Sequence, residues 1–249
     1  MIEQKLAITG WLNHWFGSAI GHAERIVGYH PANPAAPIGD AFALEVLVAF
    51  GLIVFFIVVR LSLSVESPNP AQQIAEMVHE FTGSQGEQVI GHEHERFQSF
   101  VTCIALFIVL NNLLGLLLGL IPGVITPTSK PVVPLGLAVL TFLYYNFHGV
   151  RVQGAIGYLK QFAGPLWWLS WLLLPIEVVS HLARMMSLTI RLYANMLASD
   201  LLTLIAFSMV PLAVPVLALG LHFAVSLIQA YVFMLLAMIY LSQAVSHEH

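Results

Sequence analysis

The stretch Glu177-Val-Val-Ser180-His-Leu-Ala-Arg184-Met-Met-Ser187-Leu-Thr-Ile-Arg191-Leu-Tyr-Ala-Asn195 decides how this chain is read. It lies inside an apolar block, yet it carries two arginines and a glutamate. A guanidinium keeps its charge at any working pH. An ionisable residue at membrane depth is costly and marks a functional site until shown otherwise. Taken as one helix at ~100° per residue, Glu177, Ser180, Arg184, Ser187 and Asn195 all fall within about 40° of Arg191. Six polar side chains therefore share one face, while Asp200 falls about 180° away. Arg191 has no acid at i±3 or i±4, so its countercharge must come from elsewhere, and another subunit is a candidate source.

The surrounding composition explains why a charge is conspicuous. The chain has 249 residues, of which 58% are hydrophobic and 9% charged, and its mean hydropathy is +0.84. Soluble domains carry about 25% charged residues. The expected fold is an all-α membrane protein with about five membrane-embedded helices and one amphipathic surface helix. The net charge of −4 offers no basic face for nucleic acid. The single cysteine, Cys103, excludes an intrachain disulfide and reads as a small hydrophobe.

Outward from the polar stripe, the spans follow from hydropathy and breakers. Residues 1–40 read as an extracytoplasmic lead with a short surface helix over 8–27 and prolines at Pro31, Pro34 and Pro37. The N-terminus lacks the pattern of a cleaved signal peptide. Residues 41–249 read as a single membrane domain. Span 1 is 41–61, with Glu45 near its start and Arg60 at its end. A surface helix over 71–82 places Ile74, Met77, Val78 and Phe81 on one side. Span 2 is 97–120 and span 3 is 134–148. Two long helices, 166–207 and 212–244, follow, broken near Pro211 and Pro215. Each exceeds the ~20 residues of a perpendicular crossing. They fit either four short spans with tight turns or two long tilted helices, because tilt is set by packing.

The last block has its own stripe, His222, Ser226 and Gln229. If the two blocks form an antiparallel hairpin, Asp200 comes level with His222. Gln229 comes level with the interval between Arg191 and Asn195, so that hydrogen-bonding groups meet at matching depths. Arg60, Arg96, Arg151 and Lys160 flank one side of the membrane, whereas Lys130, Lys5 and Arg25 flank the other. The positive-inside rule then puts the N-terminus outside and the C-terminus in the cytoplasm.

Other features carry less. Asn111-Asn112 in span 2 either lines a path or makes a packing contact. His92 and His94, within Gly91-His-Glu-His-Glu95, could bind a metal but read better as a solvated loop. A membrane metalloenzyme would need further histidines at helical spacing, which this sequence lacks. Trp167, Trp168 and Trp171 read as an interfacial belt, as does Tyr144-Tyr145-Asn146. There is no phosphate loop and no nucleophile elbow.

The Glu177–Met196 segment resembles the signature of the subunit a family of rotary F-type ATP synthases. So does Leu227-Ile-Gln-Ala-Tyr-Val-Phe-Met-Leu-Leu followed by Ile239-Tyr-Leu, and more weakly Asn111-Asn-Leu-Leu-Gly-Leu. The resemblance covers about residues 40–245. It implies a bacterial plasma-membrane subunit that makes no ATP itself. It favours the tilted hairpin and implies protons as the transported ion with no cofactor or metal. The implied partners are a ring of c subunits, the peripheral-stalk b subunits, the F1 sector indirectly, and the bilayer. Arg191 matches the essential arginine, and Asn195 and Gln229 match polar residues beside it. Asp200 and His222 match the outer half-channel, and Glu177, Ser180 and Ser187 the inner one. Four positions depart from the family pattern. Ala194 stands for the commoner glycine, Tyr193 for phenylalanine, Met185 for proline, and Asp200 for glutamate or histidine. The competing expectation is a self-contained secondary transporter that uses Arg191 to bind an anionic substrate; it calls for broken helices and internal repeats, and no repeat is found.

Overall fold

The computed structural model describes residues 7–26, 37–64, 68–91, 93–118, 130–163, 170–209 and 213–245. Among them the elements are helices: α1 Ala7–Ile26, α2 Asp40–Leu61, α3 Pro70–Ile90, α4 Glu95–Leu118, α5 Val132–Ala163, α6 Ser170–Met209 and α7 Ala213–Val245. Five are long and apolar enough to cross a membrane, namely α2, α4, α5, α6 and α7. The chain is an all-α, multi-pass membrane protein.

The core lies between α4, α5, α6 and α7. One cluster gathers Phe97, Val101, Tyr145, Met234, Met238 and Leu241. A second gathers Ile104, Ile108, Leu188, Leu192, Met196 and Phe233. On α6 the buried positions are Leu188, Leu192, Met196, Ser199, Thr203 and Ala206. That spacing of three and four draws a narrow seam along one side of the helix. Much of the rest of α6 is exposed, including Trp171, Ile190 and Ile205. In water such a surface would be an aggregation hazard; in lipid or against another apolar subunit it is at home.

The α6–α7 pair runs antiparallel. Arg184 meets Tyr240, Asn195 meets Gln229, and Asp200 acts on His222, so partners descend along α7 as they ascend along α6. This is the register that hairpin symmetry demands. Helices of 40 and 33 residues would run about 60 and 50 Å, far beyond the ~30 Å hydrocarbon core. Each stays one helix along that length, whereas short spans with turns inside them would have broken it. Pro175 is accommodated within the first two turns of α6.

Two helices outrun their expected ends. The surface helix expected over 71–82 runs Pro70–Ile90. Its Gly83 and Gly86 do not end it, because they are close-packing points: a Cβ would sit 2.7 Å from Gln98 Nε2 at Gly83 and 3.2 Å from His94 Cβ at Gly86. Small residues let α3 lie against the start of α4, where Gln98 donates to the His79 carbonyl at 2.6 Å and Thr82 shares a 2.8 Å bond with Thr102. Where α4 crosses it, α3 presents small and polar residues; Val89 and Ile90 at its end pack on the core, and Ile74, Met77 and Phe81 stay exposed, Phe81 beside the Tyr231 ring. That is the arrangement of a helix whose apolar side meets lipid. The span expected over 134–148 continues to Ala163 through a break at Gly154, whose φ of 76° and ψ of 157° belong to glycine territory. Gly149, just before it, abuts the Ala244 carbonyl.

The outer flank of the molecule is α2, held at both ends by amide clamps. At its start, Asn13 Nδ2 donates to the Ile38 carbonyl at 2.9 Å and its Oδ1 accepts from the Ile38 N–H at 3.0 Å. Thr9 adds a hydroxyl bond to Asp40. Past its other end, Gln72 Oε1 accepts from the Ser64 N–H at 3.0 Å and its Nε2 donates to the Ser64 carbonyl at 3.1 Å. Between them α2 exposes Phe42, Phe50, Ile53 and Ile57.

Candidate functional site

Arg191 sits at the exposed edge of the α6–α7 hairpin, with Ser187 and Ala194 exposed beside it. Among the described residues no carboxylate comes within 4.0 Å of it; the ion pairs found there all involve Glu177. It is a fixed charge at the outward face of a membrane bundle, next to small side chains that let another helix approach closely.

One turn on, α6 turns its stripe inward. Asn195 Nδ2 donates to Gln229 Oε1 at 2.7 Å. Gln229 is 3% exposed and its own Nε2 has no partner among the described residues. Four more buried polar atoms share that condition: Asn111 Oδ1, Asn112 Oδ1, His222 Nε2 and Ser226 Oγ. They stand on α4 and α7, which Asn112 Nδ2 links by donating to the Ser226 carbonyl at 3.4 Å. Buried polar atoms normally find partners in protein or in water. All five stand on two helices that pack together, and the three on α7 follow one stripe that reaches Gln229 beside Asn195; buried polar atoms so placed suit bridging water. Asp200, half-buried on α6, is the acid whose charge acts on His222.

The other end of the stripe has different neighbours. Glu177 Oε1 lies 3.3 Å from His181 Nε2 and 4.0 Å from Arg184 Nη2. The Arg184 guanidinium lies over the Tyr240 ring, 5.4 Å from its centre. Ser180 is half-buried between Glu177 and Arg184 on the helix. The structure thus joins Glu177 to Arg184 and Asn195 to Gln229, and it leaves Arg191 and Ser187 on the rim. Sequence reading missed His181, although its i+4 spacing from Glu177 was visible. It also left the Asn111-Asn112 pair undecided and gave Ser226 no role beyond its stripe; only the packing of α4 on α7 brings the three together.

The histidine-rich turn does not build a metal site among the described residues. His94 Nδ1 is bonded to the Gly91 carbonyl at 2.9 Å, and His92 lies outside the described residues. Trp167 and Trp168 lie outside them too, whereas Trp171 is exposed at the start of α6.

Residues 42–242 match the family model described as ATP synthase A chain. The chain is 47% identical over 248 residues to the ATP synthase subunit a of Koribacter versatilis, covering all of both proteins. It is 43% identical to that of Solibacter usitatus over 90% of this chain and 94% of the relative. A 36% match to the Helicobacter pylori subunit covers 80% and 87% respectively. A polytopic helical bundle with a charged, partner-seeking arginine on its open face is in keeping with a subunit built to work inside an assembly, and on this similarity the chain belongs to the ATP synthase A chain family, the membrane-embedded subunit a of the ATP synthase complex.

Proposed function

We propose that the chain is the proton-conducting stator of the Fo sector, with two offset half-channels separated by Arg191. The observation that carries this reading is the seam of five orphaned polar atoms from Asn111, Asn112, His222 and Ser226 to Gln229. It gives protons from one side a hydrated approach to the Asn195–Gln229 bond and no further. The Glu177 end of the stripe, at the opposite end of α6, serves the other side.

In this mechanism a proton comes in from outside past Asp200 and His222 and neutralises a carboxylate on a ring of c subunits. The neutral carboxyl can then face lipid without the penalty of a buried charge. After nearly a full turn it meets the inner route, near Ser187, Ser180 and Glu177, and gives the proton up. Arg191 favours the ionised carboxylate by direct attraction. Because a guanidinium does not trade protons, it also blocks a short circuit between the two routes. The energy available is about 2.3 kcal/mol per charge per 100 mV. Rotation of the ring carries that energy to the F1 sector, where ATP is formed, so this chain acts without a cofactor of its own. The exposed length of α6 and the outward flank of α2 supply surface for the c ring and for peripheral-stalk b subunits. Arg60, Arg96 and Arg151 support a bacterial plasma-membrane orientation with the N-terminus outside and the C-terminus in the cytoplasm.

A self-contained transporter would place helix breaks at the substrate site. Here α6 and α7 run unbroken past Arg191 and Gln229. The deciding experiment is Arg191→Ala in inside-out vesicles carrying the complete synthase. ATP-driven proton pumping is expected to disappear while passive proton conduction persists. Coupled pumping at the normal rate would sink the reading.

A further inference from the structure

Glu177, His181 and Tyr145 form a chain of contacts that leaves the α6 stripe and enters the bundle core. Glu177 Oε1 lies 3.3 Å from His181 Nε2, and His181 Nδ1 lies 3.0 Å from the Tyr145 hydroxyl. Exposure falls along the chain: the Glu177 side chain is 39% exposed, that of His181 12%, and Tyr145 2%. Among the described residues the charged or titratable groups around His181 are Glu177 and Arg184 on its own helix, Tyr145 from α5, and Tyr158 from α5, which acts on Glu177, Arg184 and Tyr145. From α7 comes Tyr240, placed against Arg184.

This is the geometry of an oriented proton acceptor. In the tautomer with its proton on Nδ1, which the Tyr145 oxygen can accept, the Nε2 lone pair faces a protonated Glu177; in the other, Tyr145 donates to Nδ1 and Nε2–H donates to the carboxylate. Arg184 Nη2 stands 4.0 Å from the same oxygen, so the charge of an ionised Glu177 is met by the guanidinium as well as by the ring. An imidazole can take a proton from a neighbouring carboxyl at one nitrogen and hand it back, which is the ordinary work of a histidine on a proton path.

We propose that Glu177, His181 and Tyr145 form one proton-exchanging unit on the inner route, with His181 as the residue that positions Glu177 and shares its proton. The proposal rests on the proton-conducting reading above and deepens it. A proton arriving on Glu177 forms the carboxylic acid. Transfer to His181 breaks the Glu177 O–H bond and forms the Nε2–H bond, leaving an imidazolium beside a carboxylate. The reverse transfer returns the proton to Glu177, the more exposed member, which releases it to water. Tyr145 keeps its own proton throughout and holds the ring through Nδ1–H.

The test is passive proton conduction through vesicles stripped of F1 that carry the remaining Fo complex, with the pH on the cytoplasmic face varied between about 6 and 8, the range in which imidazole titrates. In His181→Gln, conduction is expected to fall by about 10-fold or more, the scale of a lost acid–base group. Its dependence on cytoplasmic-side pH should flatten, and imidazole added on that side should restore part of the rate. Tyr145→Phe, which removes a single oxygen, should lower conduction by a smaller factor and shift the same profile. Wild-type conduction with a wild-type pH profile in assembled His181→Gln overturns the proposal. If that variant does not assemble, the same result in Tyr145→Phe overturns it. Coupled pumping in Arg191→Ala would instead remove the proton-conducting reading beneath it, so the two failures are told apart.

Discussion

Asn195 and Gln229 meet across 2.7 Å, and this one contact locks α6 to α7 at the level of Arg191. It joins the two polar stripes at the point where the orphaned seam ends. A bond there both sets helix register and places the last amide of the seam.

The contact should be measurable as an interaction energy. Asn195→Ala and Gln229→Ala, alone and together, are expected to show coupling of about 0.6 kcal/mol and at most about 1.7 kcal/mol, the range found for hydrogen bonds between membrane helices. Unfolding in mixed micelles gives the double-mutant cycle. Additive single effects would mean that the bond does not hold the register.

Asn111→Leu and Asn112→Leu separate path from packing. Each removes a buried amide whose oxygen has no partner among the described residues. Stability should change little: each substitution gives up one Nδ2 bond, to the Phe107 or the Ser226 carbonyl, and relieves one buried oxygen without a partner among the described residues. Proton flux should fall several-fold in both pumping and passive conduction. Unaltered flux in the assembled double variant would show the seam to be dry.

Asp200→Ala and His222→Ala are expected to lower flux together and non-additively, since both are placed on the same proposed route at matching levels of α6 and α7. The effect should track pH on the extracytoplasmic side and leave the cytoplasmic profile alone. Normal flux in Asp200→Ala removes it from the outer route.

Gly149→Ala tests the packing of α5 on α7 without touching a residue of the proposed proton path. Its Cβ would stand 2.6 Å from the Tyr158 ring and 3.1 Å from the Ala244 carbonyl oxygen. Tyr158 is held by its 2.8 Å bond to Asn146, and Ala244 by Gln153 at 3.0 Å, so neither yields easily. Overpacking of this kind costs about 1–3 kcal/mol. Thermal inactivation of the purified complex should come at lower temperature, and a wild-type value would show that the helices give way.

The hairpin register could be read from sequence because it depends on counting. Polar residues at helical spacing in two adjacent apolar blocks have few ways to satisfy one another, and Asp200–His222 and Asn195–Gln229 follow from that. The full length of α3 was not readable, because glycines that ordinarily weaken a helix are here the points where α4 presses in. The α5 extension was hidden for a related reason: Gly154 breaks the helix geometry without ending the run of helix. The company of His181 was beyond reach, since Tyr145 lies thirty-six positions away and only the crossing of α5 and α6 unites them. Composition showed Asn111 and Asn112 as polar residues in a span but could not show that their oxygens stay unpaired.

The clamps on α2 have a consequence for how its sequence carries information. Asn13 and Gln72 each satisfy the N–H and the C=O of one residue beside an end of the span, Ile38 and Ser64. Apart from Asp40, which Thr9 holds at its first residue, the ends of the helix are fixed by groups outside it. Any sufficiently apolar text will serve along its outward flank, and the spelling that matters is written outside it, in two amides a reader of hydropathy would pass over.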